Sequence, residues 1–318
     1  MSRLDELIEK LCPDGVEMHE LQELFTTRNG YTPSKSKSEF WENGTVPWFK
    51  MEDIRANGNI LSDALQHVNE CAVKGQLFPE NSIIVATSAT VGEHALITVP
   101  SLANQRFTYL MVKPEYEDRF MPKFLFYYCY KLDKYCLQNL NQSSFASVDM
   151  KKFAKFKFPV PPLEVQREIV HILDSFTLLT AELTAELTAR KKQYSYYRDT
   201  LIQKECKSEK VKLNTVCEIY DGTHQTPKYT NGGIPFVSVE NIDDLYGTQK
   251  FISTEAYAKY KIKPRIGDVF MTRITAGIIG KCTVVERNDD LAYYVSLALL
   301  RPNADILDSK YLKYYLES

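Results

Sequence analysis

Val46-Pro47-Trp48-Phe49-Lys50-Met51-Glu52-Asp53-Ile54 lines up with Ile234-Pro235-Phe236-Val237-Ser238-Val239-Glu240-Asn241-Ile242, Pro47 falling on Pro235 at an offset of 188. Three further matches follow in order. Val112-Lys113-Pro114 falls on Leu300-Arg301-Pro302 at the same offset, Phe124-Leu125-Phe126-Tyr127-Tyr128 on Tyr311-Leu312-Lys313-Tyr314-Tyr315 at 187, and Ser82-Ile83-Ile84-Val85-Ala86-Thr87 on Gly267-Asp268-Val269-Phe270-Met271-Thr272 at 185. Recurring apolar strand patterns could produce one such match. Four in order, at nearly constant offset, mark an internal duplication.

Each copy reads as mixed α/β. Runs of β-branched and aromatic residues at 82–86, 109–112, 269–272 and 282–285 are bounded by Gly, Pro and Asn, as strands are. Segments 122–134 and 308–316 carry apolar residues three and four apart, which predicts helices. Between the copies Pro161-Pro162-Leu163-Glu164 opens a stretch without Gly or Pro to about Lys204, its prolines placed where a first helical turn tolerates them. Leu173, Phe176, Thr180, Leu183, Leu187, Arg190, Tyr194, Tyr197 and Leu201 alternate there at spacings of three and four, the mean 3.5-residue period of a coiled-coil seam. Forty helical residues would extend roughly 60 Å. A long helix packed on its own domain is the alternative. Thr180-Ala181-Glu182-Leu183 is repeated at once as Thr184-Ala185-Glu186-Leu187; each added or deleted copy would change the helix by about 6 Å. The expected architecture is α/β (α+β): two mixed α/β modules, 1–160 and 207–318, separated by a long coiled-coil-type helix at 161–206.

Composition bounds the function. The chain has 318 residues, 44% hydrophobic and 25% charged, the balance of a folded chain. No apolar run is long enough to span a bilayer, and the N-terminus lacks the pattern of a signal peptide, so a cytoplasmic location is expected. Thirty-nine basic against 41 acidic residues leave a net charge of −2, so any nucleic-acid surface must be local. None of the seven cysteines forms a Cys-x-x-Cys pair, which argues against zinc and a disulfide framework. The five histidines are scattered singly. Gly277-Ile278-Ile279-Gly280-Lys281-Cys282 is two residues short of a phosphate loop and ends in Cys where Mg²⁺ needs Ser or Thr. No Gly-x-Gly-x-x-Gly follows a strand. Catalysis, metal and cofactor binding are not expected in this chain.

Recognition remains. Asn104, Gln105 and Arg106 form a polar loop beside a strand, and Asn141 and Gln142 another. Amides can pair with adenine, and arginine with guanine or a phosphate. Thr223, His224, Gln225, Lys228 and Arg273 have the same character in the second copy. Lys151 and Lys152 begin a local basic run, as do Lys259, Lys261, Lys263 and Arg265. A solvated surface is the alternative for each.

These features together resemble the specificity (S) subunit of type I restriction–modification systems. Leu4-Asp5-Glu6-Leu7-Ile8 with Leu11-Cys12-Pro13-Asp14-Gly15-Val16-Glu17 resembles that family's N-terminus, and 158–170, Phe-Pro-Val-Pro-Pro-Leu-Glu-Val-Gln-Arg-Glu-Ile-Val, its entry into a central helix. The Thr-Ala-Glu-Leu tetrads resemble the family's spacer repeat, and Asp221-Gly222-Thr223-His224 the start of a target recognition domain. The resemblance implies a non-catalytic subunit whose two target recognition domains read the halves of a split site in double-stranded DNA. It also implies partner adenine-N6 methyltransferase (M) subunits and a nuclease-translocase (R) subunit. Adenosylmethionine would then belong to M, and ATP and Mg²⁺ to R. Leu173, Phe176, Leu183, Leu187, Tyr194, Tyr197 and Leu201 would face a partner helix.

One departure stands out. The first copy continues past Tyr128 into the helix, whereas the second stops at Ser318. An incomplete, unstable second domain and a homodimer through the unpartnered helix are the expectations that follow. An inactive remnant, a lone adenine methyltransferase or nuclease, and a coiled-coil adaptor are the competing readings.

Overall fold

A computed structural model describes residues 2–141, 146–205, 211–275 and 277–318. The chain divides into two compact units, Met1–Glu182 and Leu183–Ser318, the boundary falling inside one long helix.

The first unit contains α1 (Arg3–Leu11), β1 (Met18–Glu20), α2 (Leu21–Leu24), β2 (Phe25–Asn29), β3 (Val46–Phe49), α3 (Met51–Asn57), β4 (Ile60–Leu61), β5 (His67–Val68), β6 (Ser82–Ala86), β7 (His94–Ile97), β8 (Leu102–Ala103), β9 (Phe107–Val112), α4 (Pro122–Gln138), α5 (Met150–Ala154), β10 (Lys157–Pro159) and the start of α6 (Leu163–Glu205). A five-stranded sheet runs β2-β9-β6-β7-β4, a three-stranded sheet β5-β3-β8, and β1 pairs with β10. Strand β6 is buried throughout because both of its faces are covered. Ile83 and Val85 join the core with Phe124, Leu125 and Phe158 beneath α4, and Ile84 and Ala86 join the core with Trp48, Phe49 and Tyr109. Successive strand residues point to opposite faces, so alternation distributes them between two cores.

The second unit contains the rest of α6, α7 (Leu213–Val216), β11 (Cys217–Asp221), β12 (Ile234–Val237), β13 (Phe251–Ile252), α8 (Thr254–Tyr257), β14 (Val269–Thr272), β15 (Cys282–Val284), β16 (Ala292–Tyr293), β17 (Leu297–Pro302) and α9 (Ser309–Leu316). Its sheets run β11-β17-β14-β15 and β13-β12-β16. They reproduce the order β2-β9-β6-β7 and β5-β3-β8 strand for strand. Register agrees as well: β3 pairs β8 in parallel through Trp48 and Leu102, and β12 pairs β16 in parallel through Phe236 and Ala292.

The ladders correct two of the sequence matches. Leu110 faces Ile83 and Leu300 faces Val269, which equates Leu110 with Leu300 and Ile83 with Val269. The β9 match therefore moves by two residues from the sequence alignment, which leaves every side chain on its face. The β6 match moves by one, which reverses them all. Val269 indeed packs with Leu300 and Leu312 of α9, as Ile83 packs beneath α4, while Phe270 lies in the opposite core.

Helix α6 begins where Pro161-Pro162 predicts it. Gln166 in its first turn is fully buried: its Oε1 accepts from Met121 N at 2.9 Å, and its Nε2 donates to Arg119 O at 2.7 Å and to Pro161 O at 2.8 Å. One side chain thus satisfies three backbone groups that the entry to α4 and the Pro-Pro turn leave over. Two turns further on, Asp174 accepts from Lys123 Nζ at 2.7 Å and from Tyr127 Oη at 2.6 Å. Burial pushes the Asp174 carboxyl up, but the bonds from Lys123 and Tyr127 outweigh it and hold it below the usual range. Ser175, Thr177, Thr180 and Thr188 donate to carbonyls four residues back, which lets hydroxyl side chains sit in a solvated helix.

Candidate nucleic-acid interface

Both units build the same backbone crossing at one end of the main sheet. In the first, β2 ends at Asn29 and Gly30 follows; a Cβ at Gly30 would stand 2.3 Å from Ala103 O. In the second, β11 ends at Asp221 and a Cβ at Gly222 would stand 2.3 Å from Tyr294 O. Only glycine allows chains to approach this closely. The crossing is then tied identically. Tyr31 N donates to Ala103 O at 2.7 Å, and Thr223 N to Tyr293 O at 3.1 Å. Asn104 N donates to Phe49 O and Tyr294 N to Val237 O, both at 3.0 Å. Thr87 N donates to Arg106 O at 3.0 Å, and Arg273 N to Ser296 O at 3.1 Å. Ladder equivalence extends to strain. Ala89 (φ 64) and Thr275 (φ 85), two residues beyond Thr87 and Arg273, both hold the left-handed backbone that non-glycine residues rarely adopt. Such strain concentrates where the surrounding structure enforces it, functional loops among them.

On this frame sit the residues that the sequence singles out. Asn104, Gln105 and Arg106 form the tip between β8 and β9. Asn104 Oδ1 accepts from Arg106 N at 2.9 Å and shapes the turn. Gln105 Oε1 accepts from Thr32 Oγ1, leaving its NH2 and one lone pair to offer. Arg106 is exposed. Asn141 is brought to the same tip through Thr87, because Val148 N donates to Thr87 O at 2.9 Å and Asn141 N to Ser147 O at 2.8 Å. The Asn141 amide donates to Val148 O at 3.2 Å and to Ser147 Oγ at 3.4 Å, so its work is largely to close its own loop. Gln142 lies outside the described residues. Lys151 and Lys152 are exposed in the first turn of α5, where Asp149 Oδ1 accepts from both backbone N–H groups.

In the second unit Thr223, Gln225 and Lys228 line a cleft of about 880 Å³, and Lys259, Tyr260 and Lys261 line it too. Two groups of residues far apart in sequence are thereby joined. Burial pushes the Tyr260 phenol up, keeping it a neutral donor. Thr223 Oγ1 accepts from Gln225 N at 3.2 Å and fixes the turn. His224 is exposed beside the cleft lining. Arg273 donates to the Asp221 carboxylate, which also lines the cleft. Sequence reasoning quoted Asp221 within the Asp221–His224 stretch but not among the contact residues, and it missed Thr32. The matching pair Asn29-Gly30, two residues before Thr32 and likewise ahead of a matched strand, is the signal that points to that loop.

The seam residues of α6 are not covered. Leu173 is half-buried, and Phe176, Leu183, Leu187, Tyr194, Tyr197 and Leu201 are all more than half exposed. In the second unit Tyr194, Tyr197, Leu201 and Ile202 join Tyr311 and Tyr314 of α9 around an apolar groove of about 700 Å³. Among the described residues no cluster of His, Cys, Asp and Glu could hold a metal ion, and no helix is long and apolar enough to cross a membrane. Burial pushes the Cys136 and Cys282 thiols up to about 12, and Cys217 up to about 11; Cys71 is exposed.

A tandem α/β scaffold with one backbone frame, two sets of loop tips and a long connecting helix defines the class of protein. The family of the type I restriction modification DNA specificity domain matches residues 13–190, and the chain belongs to that family. The EcoprrI type I restriction enzyme specificity subunit of Escherichia coli is 56% identical over 241 residues, 70% of this chain and 60% of that one. A second Escherichia coli type I specificity subunit is 35% identical over 200 residues, 58% of this chain and 48% of its own length. The chain thus spans about half to three fifths of the length of these relatives. Solved structures share the fold. A chain from a type I restriction–modification assembly superposes with a TM-score of 0.59 at 20% identity, covering 96% of this chain and 80% of the other. The HsdS subunit of Thermoanaerobacter tengcongensis does so with a TM-score of 0.51 at 20% identity, covering 96% and 79%.

Proposed function

We propose that this chain is the DNA-reading, non-catalytic member of a type I restriction–modification complex. Residues 1–160 and 207–318 act as two target recognition domains and 161–206 as the helix that links them. Asn104, Gln105, Arg106, Asn141, Gln142, Lys151 and Lys152 contact one half of a bipartite site in double-stranded DNA. Thr223, His224, Gln225, Lys228 and Arg273 contact the other. The observation that carries this reading is the repeated glycine crossing with amide, hydroxyl and guanidinium side chains at its loop tips in both units. Backbone-fixed tips hold such groups steady, and steady groups discriminate between base edges. Methyltransferase and nuclease-translocase subunits supply the chemistry, with adenosylmethionine, ATP and Mg²⁺ in those partners. The exposed α6 residues Phe176, Leu183, Leu187, Tyr194, Tyr197 and Leu201 favour a helical cover, either a methyltransferase subunit or a second copy of this chain in a homodimer.

The test is to sequence N6-methylated adenines in cells with and without the gene. A bipartite motif that vanishes with the gene supports the reading; methylation or cleavage by the purified chain alone refutes it. Sedimentation separates the covers of α6. A micromolar dimer disrupted by Leu183→Asp and Leu187→Asp favours self-association, and a strict monomer indifferent to both favours the methyltransferase.

A further inference from the structure

Three strand-end positions on the shared frame carry different chemistry in the two units. In the first they hold Asn29, Thr87 and Thr108. Thr87 Oγ1 and Thr108 Oγ1 share a hydrogen bond at 2.8 Å, and Thr108 Oγ1 donates to Asn29 Oδ1 at 2.8 Å, a neutral chain. Ladder pairing sets Asn29 opposite Thr108 and Asp221 opposite Ala298, and Arg273 occupies the place of Thr87. The second unit thus has Asp221, Arg273 and Ala298, with the Arg273 guanidinium bonded to the Asp221 carboxylate. A charge and its counter-charge appear together on two different strands, and the competing hydroxyl is gone. The loop tips change in the opposite sense: Arg106 in the first unit corresponds to Ser296 in the second. Each unit therefore offers one guanidinium here, from the tip in the first and from the strand end in the second.

We propose, resting on the DNA-reading function above, that Arg273 reads a guanine edge at the second unit's cleft and that Asp221 is the positioning residue that aims it. An unpartnered arginine near a duplex is drawn to phosphate, the densest negative charge available. Partnering with Asp221 lowers that pull and fixes the planar fork in advance, leaving N–H donors for O6 and N7 of guanine. The pair is accessible to a ligand, with 37% of the Arg273 side chain and 54% of Asp221 exposed. Lys228, Lys259 and Lys261 around the same cleft are the groups suited to phosphates.

The experiment is selection of the full-length chain against duplexes with randomised positions, read by sequencing, with salt titrations on one unselected duplex. Wild type is expected to enrich a motif containing a fixed G. Arg273→Ala should reduce preference at that one position by about tenfold or more and leave the others intact. Asp221→Asn should weaken the same position and steepen the salt dependence on unselected DNA, because the released guanidinium takes a phosphate. The triple variant Asp221→Asn, Arg273→Thr, Ala298→Thr rebuilds the first unit's neutral chain and should lose the same G while keeping the rest. A wild-type chain that enriches no motif overturns the DNA-reading function itself. A wild-type motif that survives in the triple variant overturns this inference alone, as does an Asp221→Asn variant that weakens all positions equally with an unchanged salt slope.

Discussion

The two units share strand order and register, yet they bury different polar groups. In the first, His94 is fully enclosed between Asp133 Oδ2 at 2.6 Å and Phe126 O at 2.9 Å, both from α4. The equivalent strand position in the second is Cys282, whose N–H donates to Glu317 Oε1 at 2.9 Å. The second unit instead buries Asp268 against Arg301, two bonds at 2.8 and 2.7 Å, with a third from Arg301 to Lys263 O at 2.9 Å. The places of Asp268 and Arg301 are taken in the first unit by Ser82 and Met111. The common frame therefore leaves open where a polar group is buried. For the carboxylates and the imidazole named here the rule is a partner, although the buried Tyr293 hydroxyl has none among the described residues.

The largest expected effect comes from breaking that rule. Arg301→Ala would leave the Asp268 carboxylate, only 3% exposed, without its charged partner, keeping the bond from Arg265 N, and destabilise the second unit by about 3–5 kcal/mol. Exchanging both residues for their counterparts, Asp268→Ser with Arg301→Met, should recover most of the loss. Hydrogen exchange resolved by segment measures both. If the single variant leaves protection of β14 and β17 unchanged, the pair is dispensable and the comparison fails.

Next come the glycines. Gly30→Ala and Gly222→Ala each force a backbone shift at the crossing and should cost roughly 1–3 kcal/mol, alike in the two units. Denaturant midpoints test the equality. Tolerance of one substitution and not the other would show that the crossings are not equivalent. At the tips the expectation turns from stability to selectivity: Gln105→Ala or Arg106→Ala should relax one base pair by about 1–3 kcal/mol without unfolding the first unit. Unchanged methylation motifs in both variants would remove the tip from the interface.

Acid response is the smallest contrast. In the first unit hydrogen bonds hold Asp5, Glu17 and Asp63 below the usual carboxylate range, and Asp174 stays below it despite its burial. In the second unit Glu255 does so, among the described residues. A depressed folded value means stability that is present in full above about pH 4 and is lost as pH falls through the folded value. The groups are mostly solvated, so the effect is modest, but mild acid should loosen the first unit before the second. Equal acid midpoints by segmental exchange would contradict it.

How much of this was legible in the sequence depends on the distance over which each feature is encoded. Strands 82–86 and 269–272, helix α9 and both ends of α6 follow from local pattern, Pro-Pro and Asp308 marking their starts. The register between β6 and β14 does not. A strand buried on both faces has no polar side to betray a one-residue slip. His94 with Asp133, Asp268 with Arg301 and Asp221 with Arg273 lie 33 to 52 residues apart, and no local rule pairs them. In the sequence Gln166 is one residue of the 158–170 stretch that resembles the family's helix entry, and only the fold reveals it as the tie between three backbone groups. The polar tips were visible. Whether each amide is free or already engaged, as Asn141 is, was not.

The glycine crossing also bears on how such a chain can change over generations. Gly30 and Gly222 fix the route of the backbone, while the side chains at Gln105, Arg106, Gln225 and Arg273 project from it with few duties to the core. Mutations at the crossing would be purged as folding defects, whereas mutations at the tips would be inherited as altered preferences. A lineage could then drift from one target to another by single substitutions, each intermediate still folded, and the two modules could drift independently.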